Sequence, residues 1–146
     1  MEIERKFLVK EIPSLEGLKY SEIKQGYISI KPEVRVRKLD DKYFLTEKGE
    51  GTLVREENER EISENEGLSL FEKIVSNLIE KKRYYINYEG NLIELDIYEG
   101  KFNGLVVAEV EFKTLEDANK FIPPKWFSTD ISENMEYRNK ILATKY

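Results

Sequence analysis

The sequence predicts an α+β protein: a closed, eight-stranded antiparallel β-barrel with a few helices packed outside it. Three observations lead to that class. Apolar and charged residues alternate with period two through most of the chain, the pattern of strands with one apolar face. The segments between them are too short for parallel crossovers, which need about a dozen residues. Charged residues make up 36% of the chain, against about a quarter in an ordinary domain. They are spread along these segments and not gathered in the blocks that mark a disordered tail.

Residues 2–9 begin by alternating and end in an apolar run, and Pro13 to Gly17 breaks the pattern. A second strand is expected over about 20–30, ending at Pro32. Segments 34–39 and 43–48 flank Asp40-Asp41-Lys42, a hairpin loop, and Gly49 and Gly51 lead into a strand over about 53–62. Ser63, with Glu66 three positions on, has the spacing of a capping box. Leu68, Phe71, Ile74, Val75 and Leu78 then recur at helical spacing, so the first substantial helix belongs there. Strands over about 81–88 and 92–99 are joined by Glu89-Gly90-Asn91, and another covers 105–113 after Asn103-Gly104. Thr114 caps a short helix carrying Leu115, Ala118 and Phe121, which Pro123-Pro124 stops. Residues 133–144 read as a last helix.

Composition narrows the chemistry. The 146 residues suit one domain with a single core, spanning 1–146. A net charge of −5 argues against coating nucleic acid, which wants a basic face. The chain has no cysteine and no histidine, so it offers no thiolate nucleophile, imidazole base or sulfur-ligated metal site. Any metal must be held by oxygen, which points to Mg²⁺ or Mn²⁺. No secretory leader and no apolar run of membrane-spanning length is evident, so a cytoplasmic location without a membrane partner is expected.

The alternation also sorts the charges. In a strand, every second residue shares a face. Glu2, Glu4 and Lys6 therefore point one way while Ile3 and Phe7 point the other, and Arg35 and Arg37 oppose Val34 and Val36. Thr46 and Lys48 lie together, as do Glu57, Glu59 and Glu61, and Lys81 and Arg83. Glu94 and Asp96 are backed by Ile93, Leu95 and Ile97, and Glu109 and Glu111 by Ala108, Val110 and Phe112. A solvated outer face is the ordinary explanation of such strands. Here like charges recur along each strand, which is costly on a plain surface, and the helices are too few to cover a large sheet. A closed barrel with its charged face inward resolves both, provided a polyanion on the basic rows and metal ions on the carboxylates bridge them.

These residues resemble the CYTH, or triphosphate tunnel metalloenzyme, family. Glu2-Ile3-Glu4-Arg5-Lys6 is similar to its E-x-E-x-K strand. Arg35-Val36-Arg37 and Phe44-Leu45-Thr46-Glu47-Lys48 resemble its R-x-R and L-T-x-K strands, and Arg55 to Ile62 its R-x-E-x-E-x-x-I segment. Lys81-Lys82-Arg83-Tyr84, Glu94-Leu95-Asp96 and Gly104 to Glu111 resemble later strands, and Asp130-Ile131-Ser132 with Tyr137-Arg138-Asn139 the C-terminal signature. The match covers nearly the whole chain in family order. Ser132 stands where threonine is usual, and Asn58 where an apolar residue is common.

The resemblance implies metal-dependent hydrolysis of tripolyphosphate to pyrophosphate and orthophosphate inside a charged tunnel. Lys6, Arg35, Arg37, Lys48, Lys81 and Arg83 would bind the phosphates, with Arg138 closing one mouth from the last helix. Glu2, Glu4, Glu109 and Glu111, with Asp96, would hold Mg²⁺ or Mn²⁺. The catalytic set is then Glu2, Glu4, Lys6, Glu59 and Glu111. Glu57, Glu61 and Glu94 would add to a second metal site or pair with the basic rows, while Arg60, Lys82 and Lys113 face outward and Trp126 packs. Within enzymes, the alternatives are a CYTH-type adenylyl cyclase and a thiamine or nucleoside triphosphatase; no adenine pocket is identifiable. From another class, a non-catalytic polyphosphate-binding module would need fewer acids. A small-molecule triphosphate is the expected partner, and the protein a monomer or homodimer.

Overall fold

The structure is a computed structural model, and it describes residues 3–49 and 57–145. Glu2 and the first part of the strand expected over 53–62 lie outside the described residues. Among the described residues nine strands are found: β1 (Ile3–Val9), β2 (Tyr20–Ser29), β3 (Glu33–Leu39), β4 (Lys42–Lys48), β5 (Glu57–Ile62), β6 (Ile79–Tyr88), β7 (Asn91–Glu99), β8 (Val106–Phe112) and β9 (Phe127–Asp130). The helices are α1 (Glu64–Phe71), α2 (Leu115–Lys120) and α3 (Asn139–Lys145). The hydrogen-bonded strand order is β5-β4-β3-β2-β6-β7-β8-β1-β9, with β5 and β9 at its ends. The expected antiparallel sheet is therefore present, one strand larger than expected, and among the described residues no hydrogen-bonded pairing joins β5 to β9. Among the described residues no helix is long and apolar enough to cross a membrane.

The chain divides into two compact units, 1–21 with 81–137 and 22–80 with 138–146. In the first, β1 pairs antiparallel with β8 from Ile3↔Phe112 to Leu8↔Val107, and β7 with β8 from Ile93↔Val110 to Ile97↔Val106. That register sets the apolar residues of these strands on one face. Phe7, Ile93, Leu95, Ala108, Val110 and Phe112 form its core with Ala118, Phe121 and Phe127. The β6–β7 hairpin turns at Glu89 and Gly90, both at positive φ (47° and 80°), as a twist-matched two-residue turn requires. Arg5 sits on the apolar face without breaking it. It donates to Ala118 O (2.9 Å) at the end of α2 and pairs with Asp130 at 3.2 Å. Trp126 packs edge-on against Phe127, 4.6 Å between ring centroids, as expected of a packing residue.

In the second unit, β3 pairs with β2 and β4, and β4 with β5, all antiparallel. Val36, Tyr43, Leu45 and Ile62 form the core under α1, joined by Leu70, Phe71 and Ile74. Ser63 caps α1 as expected, its Oγ accepting from Glu66 N at 3.1 Å. The helix was expected to run to Leu78, but it ends at Phe71. Beyond it the backbone finds other partners: Val75 N donates to Tyr27 O and Asn77 N to Ala143 O, each at 2.8 Å. Ile74 instead packs on Gly26, where a side chain would collide with it, and Val75 is 68% exposed. The last helix also starts later than expected, since 135–137 form a separate 3₁₀ turn before α3.

Gly67 is the helix residue that lets α1 lie on β4. A Cβ there would run into the ring of Tyr43, which is itself buried and cannot swing away cheaply. Gly67→Val should lower stability by about 1–3 kcal/mol, the usual cost of overpacking. A urea-unfolding midpoint equal to the parent's would show that α1 does not seat on Tyr43.

Candidate functional site

The charged rows form two clusters, one in each unit. In the unit of 1–21 and 81–137, the cluster begins on β6. Lys81 is 1% exposed, and an ammonium buried to that degree keeps its charge only beside a partner. Its Nζ lies 2.8 Å from Asp96 Oδ2 on β7 and 5.2 Å from the Tyr98 ring centroid. Arg83 takes the same carboxylate, with Nε 2.8 Å from Oδ1 and Nη2 3.0 Å from Oδ2. Its Nη1 reaches Glu94 at 3.0 Å. Burial pushes the Asp96 carboxyl up, but Lys81 and Arg83 outweigh it and hold it below the usual range. Burial lowers the Arg83 pKa, and Asp96 and Glu94 more than restore it.

The row continues across β8 to β1. Glu94 stands opposite Glu109, Lys6 opposite Glu109, and Glu4 opposite Glu111. Glu109 pairs with Lys6 at 3.8 Å. Glu94 and Glu109, and Glu4 and Glu111, are thus like charges directly across a ladder, a costly arrangement. Glu94 shows the cost: burial pushes its carboxyl up, Arg83 opposes this, and Glu109 and Asp96 add to the rise. Lys6 is held by its backbone as well. Its N donates to Ser132 Oγ at 2.9 Å, and its carbonyl accepts from Ile131 N at 2.8 Å. Ser132 is held in turn by Asp130. The hydroxyl that this clamp needs is supplied by serine in place of threonine.

In the unit of 22–80 and 138–146, Arg35 and Arg37 share a face of β3. Arg37 Nε donates to Gln25 Oε1 on β2 at 3.0 Å. Arg35 Nη2 contacts Thr46 Oγ1 at 3.4 Å and Glu59 at 3.8 Å, and Thr46 donates to Glu59 at 2.8 Å. Lys48 pairs with Glu33 at 3.3 Å, and Lys140 of α3 reaches the same carboxylate at 3.1 Å. Glu33 is 7% exposed. Burial pushes its carboxyl up, but Lys140 and Lys48 outweigh this and hold it low. Glu57, Glu59 and Glu61 are exposed on β5. Arg138, expected within the last helix, instead sits exposed at the bend before α3, where its carbonyl accepts from Leu142 N.

The structure thus brings Lys81, Arg83, Glu94, Asp96, Glu109, Lys6, Glu4 and Glu111 onto neighbouring strands, and Arg35, Arg37, Lys48 and Glu59 onto others. Asp96 spends both oxygens on cations. Glu33, Gln25 and Lys140 were missed. Glu33 stands two residues before Arg35, at the start of β3 and on the same strand face, a signal that the pattern did contain. Lys140 carries no comparable sequence signal.

For a hard divalent ion, the donor chemistry fits. Glu4 and Glu111 stand opposite each other in register and offer carboxylate oxygens, the donors that a hard cation takes. Among the described residues no group of three acids is gathered into a cage.

An antiparallel sheet that sets a buried lysine and half-buried arginines and lysines against carboxylates on its strands defines a β protein built to handle oxyanions. The chain belongs to the CYTH domain family, which matches residues 1–131. It is 39% identical over 146 residues to an inorganic triphosphatase of Nitrosomonas europaea, covering 97% of this chain and 96% of that one. An inorganic triphosphatase of Acetivibrio thermocellus is 37% identical, covering 97% and 92%. A crystal structure of an inorganic triphosphatase superposes with a TM-score of 0.84 at 36% identity, over 98% of this chain and 94% of that one.

Asp96→Asn should destabilise the fold by about 3–5 kcal/mol, because two cations lose their shared counter-charge. The sign with pH follows from its lowered pKa. The Asp96 contribution is present above the unfolded carboxyl value near 3.9 and lost as pH falls through the lower folded value. Unfolding curves at several pH values should therefore show the variant less acid-sensitive than the parent. Equal sensitivity would remove Asp96 as the anchor.

Proposed function

We propose that this chain hydrolyses inorganic tripolyphosphate to pyrophosphate and orthophosphate with the help of Mg²⁺ or Mn²⁺. The observation that carries the reading is the pairing of Lys81 and Arg83 with buried Asp96, found in a chain related to inorganic triphosphatases over almost its full length. Cations fixed in this way keep their positions before any substrate arrives, so little reorganisation is needed when charge develops in the transition state.

Lys6, Arg35, Arg37, Lys48, Lys81 and Arg83 are the proposed phosphate-binding groups. Arginine offers a planar fork to phosphate oxygens and lysine a movable charge. Glu4 and Glu111 are proposed to hold the divalent ion, joined by Glu2 and Glu109. A hard cation there would neutralise phosphate charge and favour attack by water on the terminal phosphorus. Water adds to that phosphorus, the anhydride P–O bond breaks, and the pyrophosphate oxygen keeps the bonding pair. Asp96 and Glu59 act on the substrate through the cations they hold, and Arg138 is left as an exposed basic residue beside α3.

Tripolyphosphate should be turned over with a higher kcat/KM than ATP, since the cluster residues recognise phosphate oxygens and no base-binding surface is evident in the sequence. Phosphate-release assays with both substrates, checked for cyclic AMP, decide this; cyclic AMP as the main product of ATP would sink the proposal. Arg37→Ala should raise KM about tenfold or more, the cost of a charged hydrogen bond. Glu111→Gln should lower kcat by about a hundredfold at ordinary metal concentrations, as for loss of an electrostatic stabiliser. A near-parental rate for Glu111→Gln would overturn its metal role.

A further inference from the structure

Gln25 lies in the middle of β2, 0% exposed, and its Nε2 has no hydrogen-bond partner. The orientation of the amide is fixed by chemistry. Arg37 Nε can only donate, and it stands 3.0 Å from Oε1, so flipping the amide would set two donors face to face. The buried Nε2 is therefore an orphan donor. Native folds seldom keep one, because an apolar side chain of the same size avoids the loss.

A second orphan lies beside it. Arg35 Nε is also buried without a partner, although its Nη2 is engaged by Thr46 and Glu59. The register pairs Gln25 with Arg37 and Tyr27 with Arg35, so the two orphans occupy successive cross-strand pairs on one face. The register sets the guanidinium groups of Arg35 and Arg37, which only donate, on that face. What such a place lacks is an acceptor with several lone pairs, and a phosphoryl group supplies three oxygens at once. A water could accept from both donors, but it would bring no charge to set against the guanidinium groups of Arg35 and Arg37.

We infer that Gln25 is a substrate-binding residue: its Oε1 orients Arg37, and its Nε2 donates to a phosphoryl oxygen beside Arg35. The inference rests on the triphosphatase reading and adds a neutral donor to a set otherwise made of cations. Gln25 thereby contributes affinity that carries no charge and is not weakened by salt as the cationic contacts are.

Gln25→Met keeps the volume and removes both the acceptor and the donor. Tripolyphosphate binding is measured by calorimetry with divalent metal chelated, so that no turnover intervenes. The variant should bind about tenfold or more weakly while melting at or above the parental temperature. Parental affinity in a folded Gln25→Met overturns the inference. If the variant does not fold, the parent answers through the Gln25 side-chain ¹⁵N–¹H₂ signal, which should shift on adding tripolyphosphate; an unmoved signal overturns it too. Arg37→Ala separates the two readings. Parental binding that Arg37→Ala weakens and Gln25→Met does not refutes Gln25 alone, whereas a parent that binds no tripolyphosphate refutes both.

Discussion

Lys81 is an ammonium with 1% of its surface exposed, and Asp96 meets its charge from 2.8 Å away. Much of the charged face of its unit follows from that contact. Asp96 resists taking a proton, since a second cation, Arg83, grips both of its oxygens. Arg83 then carries a surplus that Glu94 meets at 3.0 Å. Charge alternates outward across β6 and β7 in this way until it reaches Glu94 and Glu109, which face each other with the same sign. Lys6 relieves Glu109 from the far side, and Glu4 and Glu111 repeat the conflict one step along the ladder. An unliganded sheet would be more stable with these acids replaced. The proposed divalent ion would offset this like-charge pairing, as the proposed phosphoryl oxygen would meet the orphan donors of Gln25 and Arg35.

The second cluster solves the same problem differently. Glu33 is as buried as Asp96 and also serves two cations, but one of them, Lys140, comes from α3. The end of the chain is thereby tied to β3 by charge as well as by the apolar burial of Leu142 and Ala143. Lys48 shares that carboxylate, so its freedom depends on how firmly Lys140 holds the other oxygen. Arg35 is arranged more loosely, with Glu59 at 3.8 Å and itself exposed. This unit therefore contains both tightly paired and partly unsatisfied cations, whereas Lys81 and Arg83 in the other unit are locked.

Most of the strands were legible because alternation is a property of each strand by itself. β1 to β8 fall close to where the pattern put them, and the parity that separates Arg35 from Val36 also fixes which side chains meet. β9 was not legible: Phe127–Asp130 is four residues long, too short for period two to show, and its pairing with β1 shifts register between Phe7 and Val9. Helix α1 was overextended because Ile74 keeps helical spacing while its contact is with Gly26, a residue far away in sequence. Spacing cannot separate an apolar residue facing a helix's own core from one facing another element.

The site was legible in kind and not in rank. Alternation gathers charges on a face, but it does not say which carboxylate the cations will hold low and which will be pushed up. Asp96 and Glu94 are two residues apart and share a face, yet Lys81 and Arg83 hold Asp96 low against its burial, while burial pushes Glu94 up and Glu109 adds to the rise. That division depends on cross-strand register, which is set by hairpins and by pairing partners distant in sequence. Gln25 is the clearest case. A glutamine between Lys24 and Gly26 is unremarkable in the sequence, and only the pairing of β2 with β3 puts its amide against Arg37. The charged residues announce that an oxyanion is handled here, while the neutral residue that register buries among them is the one whose unmet hydrogen bond shows where an oxyanion oxygen belongs.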